Sequence, residues 1–234
     1  MQKYNFPASS QAGQALLEYS LLVVLILLVL GGLQLYGITL HEAYCSMDSL
    51  LGIVPENCIS AVAWQDNLDS LDRWNITSGG GWIIEDGKLK ITKNGEHRAF
   101  TGEEEWEDYT IQVDGAVLEA GKGYGIYFRI TDEPNIDGYA FQYDPGYNNE
   151  FIIREIVDGR ELGVPIARAK APDGFDWYGT PHAITIQVQG DTFTAFVDGE
   201  SVVTAVDDTS TNGRIGLRGW TTTATFDQLL VTQP

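Results

Sequence analysis

Four times along the chain a dipeptide that favours positive φ stands between two short runs in which apolar and polar residues alternate: Asp86-Gly87, Asp158-Gly159, Gly190-Asp191 and Asp198-Gly199. Alternation with a period of two puts apolar side chains on one face of a strand. A two-residue reversal between two such strands makes an antiparallel hairpin. The runs are residues 82–84, 88–92, 109–117, 123–130, 138–143, 151–157, 183–189, 192–197, 200–205, 214–218 and 224–231. So many short strands at even spacing, with no helical period among them, predict an all-β jelly-roll sandwich over residues 59–234.

The chain ahead of that domain has a different chemistry. Residues 19–36 contain no charged side chain, and residues 21–30 are an unbroken aliphatic stretch. As a helix rising about 1.5 Å per residue, such a run matches the hydrocarbon thickness of a bilayer. Ile38, Ala43, Tyr44, Met47, Leu50, Leu51 and Val54 continue at helical spacing, so the helix is expected to extend beyond the membrane until Gly52 or Pro55. Lys3 precedes the span, and Glu42 and Asp48 follow it, which agrees with the N-terminal residues staying in the cytoplasm. Cys45 and Cys58 then fall in an oxidising compartment, where a disulfide closing this loop would add about 3 kcal/mol. Two free thiols in a reducing cytosol are the alternative.

A secretory signal would need a small-residue cleavage site after its apolar core, and the residues after this one offer no convincing site. A plain anchor fits the length but leaves Glu18 unexplained, because a carboxylate at the mouth of a lipid span is costly without a partner. The block Gly13-Gln14-Ala15-Leu16-Leu17-Glu18-Tyr19, followed by the aliphatic run, resembles the processing site of type IV prepilins, in particular the Flp or Tad subgroup. The resemblance implies that a prepilin peptidase cuts between Gly13 and Gln14, making residues 1–13 a leader and residues 14–58 a pilin-like helix with its disulfide loop. It also implies that Glu18 and Tyr19 serve assembly, the carboxylate neutralising the new α-amino group of a neighbouring subunit. On that reading the chain is a homo-oligomeric subunit of a helical type IV pilus, built by inner-membrane assembly machinery. It would lie in the cytoplasmic membrane before assembly and in an extracellular pilus afterwards, with the sandwich displayed for adhesion or surface contact. The alternative is a monomeric, membrane-anchored, lectin-like carbohydrate-binding protein.

Within the sandwich, Asp66, Leu71, Asp72 and Trp74, then Trp82 before Asp86-Gly87-Lys88-Leu89, open a pattern that continues through residues 123–129 and 138–143. It closes with residues 213–218 ahead of Phe226-Asp227, and it resembles concanavalin A-like or laminin-G-like sandwiches. That architecture hosts lectins, carbohydrate-binding modules, glycosidases and inert spacers, so the resemblance implies a fold and leaves the ligand open.

A sugar site needs exposed aromatic platforms beside hydrogen-bonding groups. Tyr139 and Tyr143 project from one face of one strand, Tyr147 and Asn148 follow in a loop, and Trp177 and Tyr178 occupy another. Filling the inter-sheet core is the competing account of the strand aromatics. Glycoside hydrolysis needs two carboxylates flanking the scissile bond. The acidic residues at 103–108 lack the alternation that would aim them together and read as a solvated turn. His41, His97 and His182 share no metal-ligand spacing, so neither catalysis nor a cofactor is expected. A structural calcium would find hard oxygens at Asp132, Asp137 and Asp144, or near Asp66 and Asp227. Residues 59–234 carry 13 basic against 29 acidic side chains, a net −16 of the chain's −19, which repels phosphate backbones and excludes nucleic acid as a partner. Surface glycans remain open as partners.

Overall fold

The computed structural model describes residues 61–78, 80–131 and 136–234. The expected cleavage site at Gly13 and Gln14, the assembly residues Glu18 and Tyr19, the long helix, Cys45, Cys58 and Asp132 all lie outside the described residues.

Every regular element described is a strand. In chain order they are β1 (Ala61–Asp66), β2 (Asn75–Ser78), β3 (Trp82–Glu85), β4 (Lys88–Thr101), β5 (Tyr109–Gly121), β6 (Tyr124–Ile130), β7 (Gly138–Asp144) and β8 (Glu150–Val157). There follow β9 (Arg160–Glu161), β10 (Ala167–Lys170), β11 (His182–Gln189), β12 (Thr192–Val197), β13 (Glu200–Val206), β14 (Arg214–Phe226) and β15 (Gln228–Gln233). One sheet runs β1-β15-β5-β11-β12-β13, all antiparallel. The other runs β10-β8-β7-β6-β14-β4, with β2 and β3 on the far side of β4 and β9 on β8. The expected two-sheet, all-β sandwich is therefore the observed architecture of the described residues.

The turn chemistry behaves as the dipeptides require. Asp86, Asp158 and Asp198 take φ of 53°, 51° and 52°, and the glycines after them 73°, 70° and 82°, the doubly positive signature of a tight hairpin turn. The run expected at residues 224–231 is broken, however. β14 ends at Phe226, and after Asp227 the chain continues as β15 in the opposite sheet. β5 makes the reverse passage beside it, pairing with β15 and β11 through its first half and with β14 through its second. At that crossing Asp227 N donates to Asp114 O at 3.2 Å, and Gly115, at φ +63°, lies so close that a Cβ there would stand 2.9 Å from Asp227 Cβ.

The alternation in β11 and β12 buries Ile184, Ile186, Val188, Phe193, Ala195 and Val197 against the inner face of the opposite sheet. β6 and β7 break the pattern, because nearly every residue in them is buried. Their inner face contributes Ile126, Phe128, Phe141 and Tyr143 to the main core. Tyr127 and Ala140, alternate to these, join Phe100, Ile130, Ile136 and Ile156 in a second, smaller core. This second core occupies only part of its face, and the remainder is the floor of a cleft.

The acidic run at residues 103–108 does more than solvate a turn. Glu107 O accepts from the buried Arg129 guanidinium at 3.0 Å, and Asp108 Oδ1 lies 3.5 Å from it. Ser210 O accepts from the same group at 3.1 Å, so the charge is satisfied at the sandwich rim by the loops around it.

Candidate functional site

The side chains lining the cleft occupy strand positions alternate to the main-core residues. β4 supplies Glu96 and Arg98, β14 Arg218 and Trp220, β7 Gln142 and Asp144, and β8 Arg154. The Asp158-Gly159 turn folds β9 back so that Glu161 hangs over the sheet as a wall, and the whole encloses about 510 Å³. Ligand pockets run from about 300 to 1,000 Å³, so the cleft is large enough for a small saccharide.

Its floor is one connected polar network. Arg218 Nε donates to Glu96 Oε1 at 2.7 Å, and Arg218 Nη2 lies 2.7 Å from Glu161 Oε1. Gln142 Nε2 donates to the same Glu161 oxygen at 2.6 Å, and Arg154 Nε donates to Gln142 Oε1 at 3.2 Å. Arg98 Nη2 donates to Glu96 Oε2 at 2.8 Å and also to Gly159 O, which ties the β8–β9 turn to β4. Arg154 Nη1 donates to Leu162 O at 2.6 Å and pins the chain beyond β9.

Burial alone would raise the Glu96 carboxyl, but the Arg218 and Arg98 guanidiniums outweigh it and hold it below its ordinary value. Asp144 goes the other way. Its burial raises the carboxyl, Arg218 only partly opposes this, and Glu161 adds to it. Tyr127 lies beneath with its hydroxyl fully buried and bonded to no group of the described residues, its ionisation pushed up by burial.

Aromatic rings flank the network. Trp220 is 43% exposed, with the Arg218 guanidinium 5.5 Å from its ring centre, and Tyr147 lies 5.5 Å from the Arg154 guanidinium. Lys122 and Arg160 stand exposed on the lining.

Of the expected platforms, only Tyr147 lines this cleft. Tyr139 and Tyr143 face the main core instead, because their strand positions point inward. Tyr139 Oη donates to Asp207 Oδ1 at 2.6 Å and accepts from Ser210 N at 3.0 Å. Tyr143 stacks on Tyr124 at 4.7 Å and donates to Trp177 O at 3.1 Å. Trp177 is buried as well, edge-on to Tyr143 at 4.6 Å. Tyr178 is exposed and is not part of the cleft lining, its hydroxyl donating to Gly121 O, beside Lys122, at 2.9 Å. Asn148 is exposed in the turn after Tyr147, at φ 59°.

Asp137 Oδ1 accepts from Asp158 N at 2.7 Å, Asp144 belongs to the cleft, and among the described residues no three His, Cys, Asp or Glu side chains converge on one point. Asp66 is engaged with Leu68 N and Trp74 Nε1, and Asp227 with Lys88 at 3.0 Å. Sequence reasoning passed over Glu96, Arg98, Gln142, Arg154, Glu161, Arg218 and Trp220. The signal was available: Gln142, Arg154 and Arg218 each directly follow a run of three apolar residues or glycine inside a strand, where burial without a partner would be costly.

The structure is similar to the carbohydrate-binding module CBM66 from Bacillus subtilis, with a TM-score of 0.60 at 20% identity over 69% of this chain and 96% of that one. A galectin-like protein of unknown function from the same organism gives 0.60 at 15% identity, over 74% of this chain and 96% of that one. The catalytic domain of a laminarinase from Thermotoga petrophila gives 0.55 at 13%, over 75% and 98%. At these identities the likeness is one of fold. No curated protein matches the chain. These findings overturn the expectation of a pilus subunit, and they lend no support to filament or assembly partners. Most of the chain has the sandwich seen in carbohydrate-binding modules and lectin-like proteins, which favours carbohydrate binding over a structural role in a pilus. A family model described as the 3-keto-alpha-glucoside-1,2-lyase-like domain matches residues 63–232, nearly the whole sandwich with every residue of the cleft, and it is to this family that the chain belongs.

Proposed function

We propose that the sandwich is a saccharide-binding domain whose ligand lies in the Arg218 cleft, and that residues 19–36 tether it outside the cytoplasm as a single-span anchor. The observation that carries this is the network in which Arg218 bridges Glu96 and Glu161 while Gln142 and Arg154 complete the chain. Fixed carboxylates and guanidiniums present acceptor and donor pairs at the spacing of vicinal hydroxyls, and they are already oriented before a ligand arrives. Trp220 and Tyr147 beside them offer flat apolar faces for the C–H side of a sugar ring. The carbohydrate-binding module among the similar structures supports the same reading. Calorimetric titration of the full chain in mild detergent with gluco-, manno- and fructo-oligosaccharides and their uronate counterparts tests it. Absence of heat from all of them would sink it.

A second reading, cleavage, has one observation in its favour. Asp144 is a carboxyl in the cleft whose proton affinity is raised by burial, as a general base for elimination next to a carbonyl requires. Release of the leaving sugar from a 3-keto-α-glucoside, lost in Asp144→Asn, would establish it.

A further inference from the structure

The cleft has the opposite charge to the protein around it. Arg98, Lys122, Arg154, Arg160 and Arg218 line it against Glu96, Asp144 and Glu161, a balance of five to three in a chain that holds 14 basic and 33 acidic residues. More than a third of all its lysines and arginines thus gather in one concavity. Arg98 and Arg218 are neutralised by the glutamates they touch, and Arg154 lies 3.8 Å from Glu161. Lys122, at the entry to β6, and Arg160, the first residue of β9, are different. Both are exposed, both line the cleft, and neither side chain makes an ion pair or hydrogen bond among the described residues.

Two uncommitted cations beside a neutralised floor are what an anion needs, because each can form a charge-assisted hydrogen bond without giving up an existing one. The surrounding surface adds selectivity. A domain with a net −16 repels an anionic ligand everywhere except where the local field reverses, and a concave site concentrates that reversal. Neutral sugars gain nothing from such an arrangement.

Resting on the saccharide reading above, we infer that the ligand is an acidic glycan, a uronate-containing or sulfated oligosaccharide whose anionic group is held by Lys122 and Arg160 while its hydroxyls meet the Arg218–Glu96–Glu161 network. The test is an array of oligosaccharides presented to the full chain in mild detergent. Galacturonate, glucuronate, mannuronate and sulfated oligomers are set against neutral gluco-, galacto-, manno- and fructo-oligomers, followed by titration of the best acidic member. The expected result is preference for acidic members and weakening between about 0.05 M and 0.5 M salt, as screening predicts. Removing both cations in Lys122→Ala/Arg160→Ala should reduce affinity about tenfold for each cation, at unchanged thermal midpoint. A bound set that is neutral overturns this inference and leaves the saccharide reading standing; an empty array removes both. Acidic binding that the double variant does not weaken overturns the role of these two cations.

Discussion

Arg218 on β14 and Glu96 on β4 are 122 positions apart in the chain and meet at 2.7 Å, on neighbouring strands whose register sets Trp220 opposite Glu96 and Arg218 opposite Arg98. The antiparallel pairing brings both charges to the outer face of a sheet whose inner face is apolar. There each offsets part of the other's cost of leaving water, with Arg98 and Glu161 completing the pairing.

Replacing Glu96 by Gln removes that compensation while keeping the shape. Arg218, only 11% exposed at its side chain, is left with Glu161 alone, and the cost expected for losing a buried charged partner is about 2 kcal/mol. It would be read as a lower urea midpoint at unchanged slope. The pH dependence follows from the depressed carboxyl. Folding lowers the proton affinity of Glu96 below its ordinary 4.5, so the stabilisation is complete above that value and disappears as pH falls through the lower folded one. Wild-type and Glu96→Gln midpoints should therefore converge on acidification below 4.5 and stay apart at neutral pH.

Hairpins were legible in the sequence because their signal is local. Asp-Gly pairs need no distant partner to adopt positive φ, and β11 and β12 alternate cleanly with one face wet. The cleft was not legible in the same way. Tyr139 and Tyr143 look like platforms in isolation, but their direction depends on which face of β7 meets the second sheet, and nothing within residues 138–144 decides that. Gln142 and Asp144 take the face those tyrosines vacate. Glu161 reaches the network only through a turn and a two-residue strand too short to have a period.

Trp220 carries a prediction that separates binding from folding. The residue is 43% exposed, so Trp220→Ala should leave the thermal midpoint nearly unchanged. Loss of a stacking face for a sugar ring should weaken saccharide affinity about tenfold or more in the same calorimetric titration. An unchanged affinity would move the ligand away from this rim.

Tyr143 gives the converse. Tyr143→Phe keeps the ring stack on Tyr124 but deletes the hydrogen bond to Trp177 O inside the core, leaving a buried carbonyl short of its donor. The expected loss is about 1 kcal/mol of stability by chemical denaturation, with saccharide affinity unaltered because the hydroxyl faces away from the cleft. A change in affinity at constant stability would return Tyr143 to the list of ligand contacts.

The crossing of the two sheets depends on Gly115. An alanine there must hold φ near +63°, where L-residues pay roughly 1–2 kcal/mol, and its Cβ would stand 2.9 Å from that of Asp227. Asp227 cannot retreat freely, since its carboxylate pairs with Lys88 at 3.0 Å and its amide donates to Asp114 O. Gly115→Ala should therefore cost more than the backbone term alone. Asp227→Gly removes the opposing Cβ, so in a double-mutant cycle the alanine should cost only the backbone term when glycine occupies position 227. Denaturation midpoints of the four proteins measure the difference directly. If Gly115→Ala costs the same with aspartate or glycine at 227, backbone conformation alone accounts for the loss, and the close approach of β5 to the β14–β15 junction contributes nothing to it.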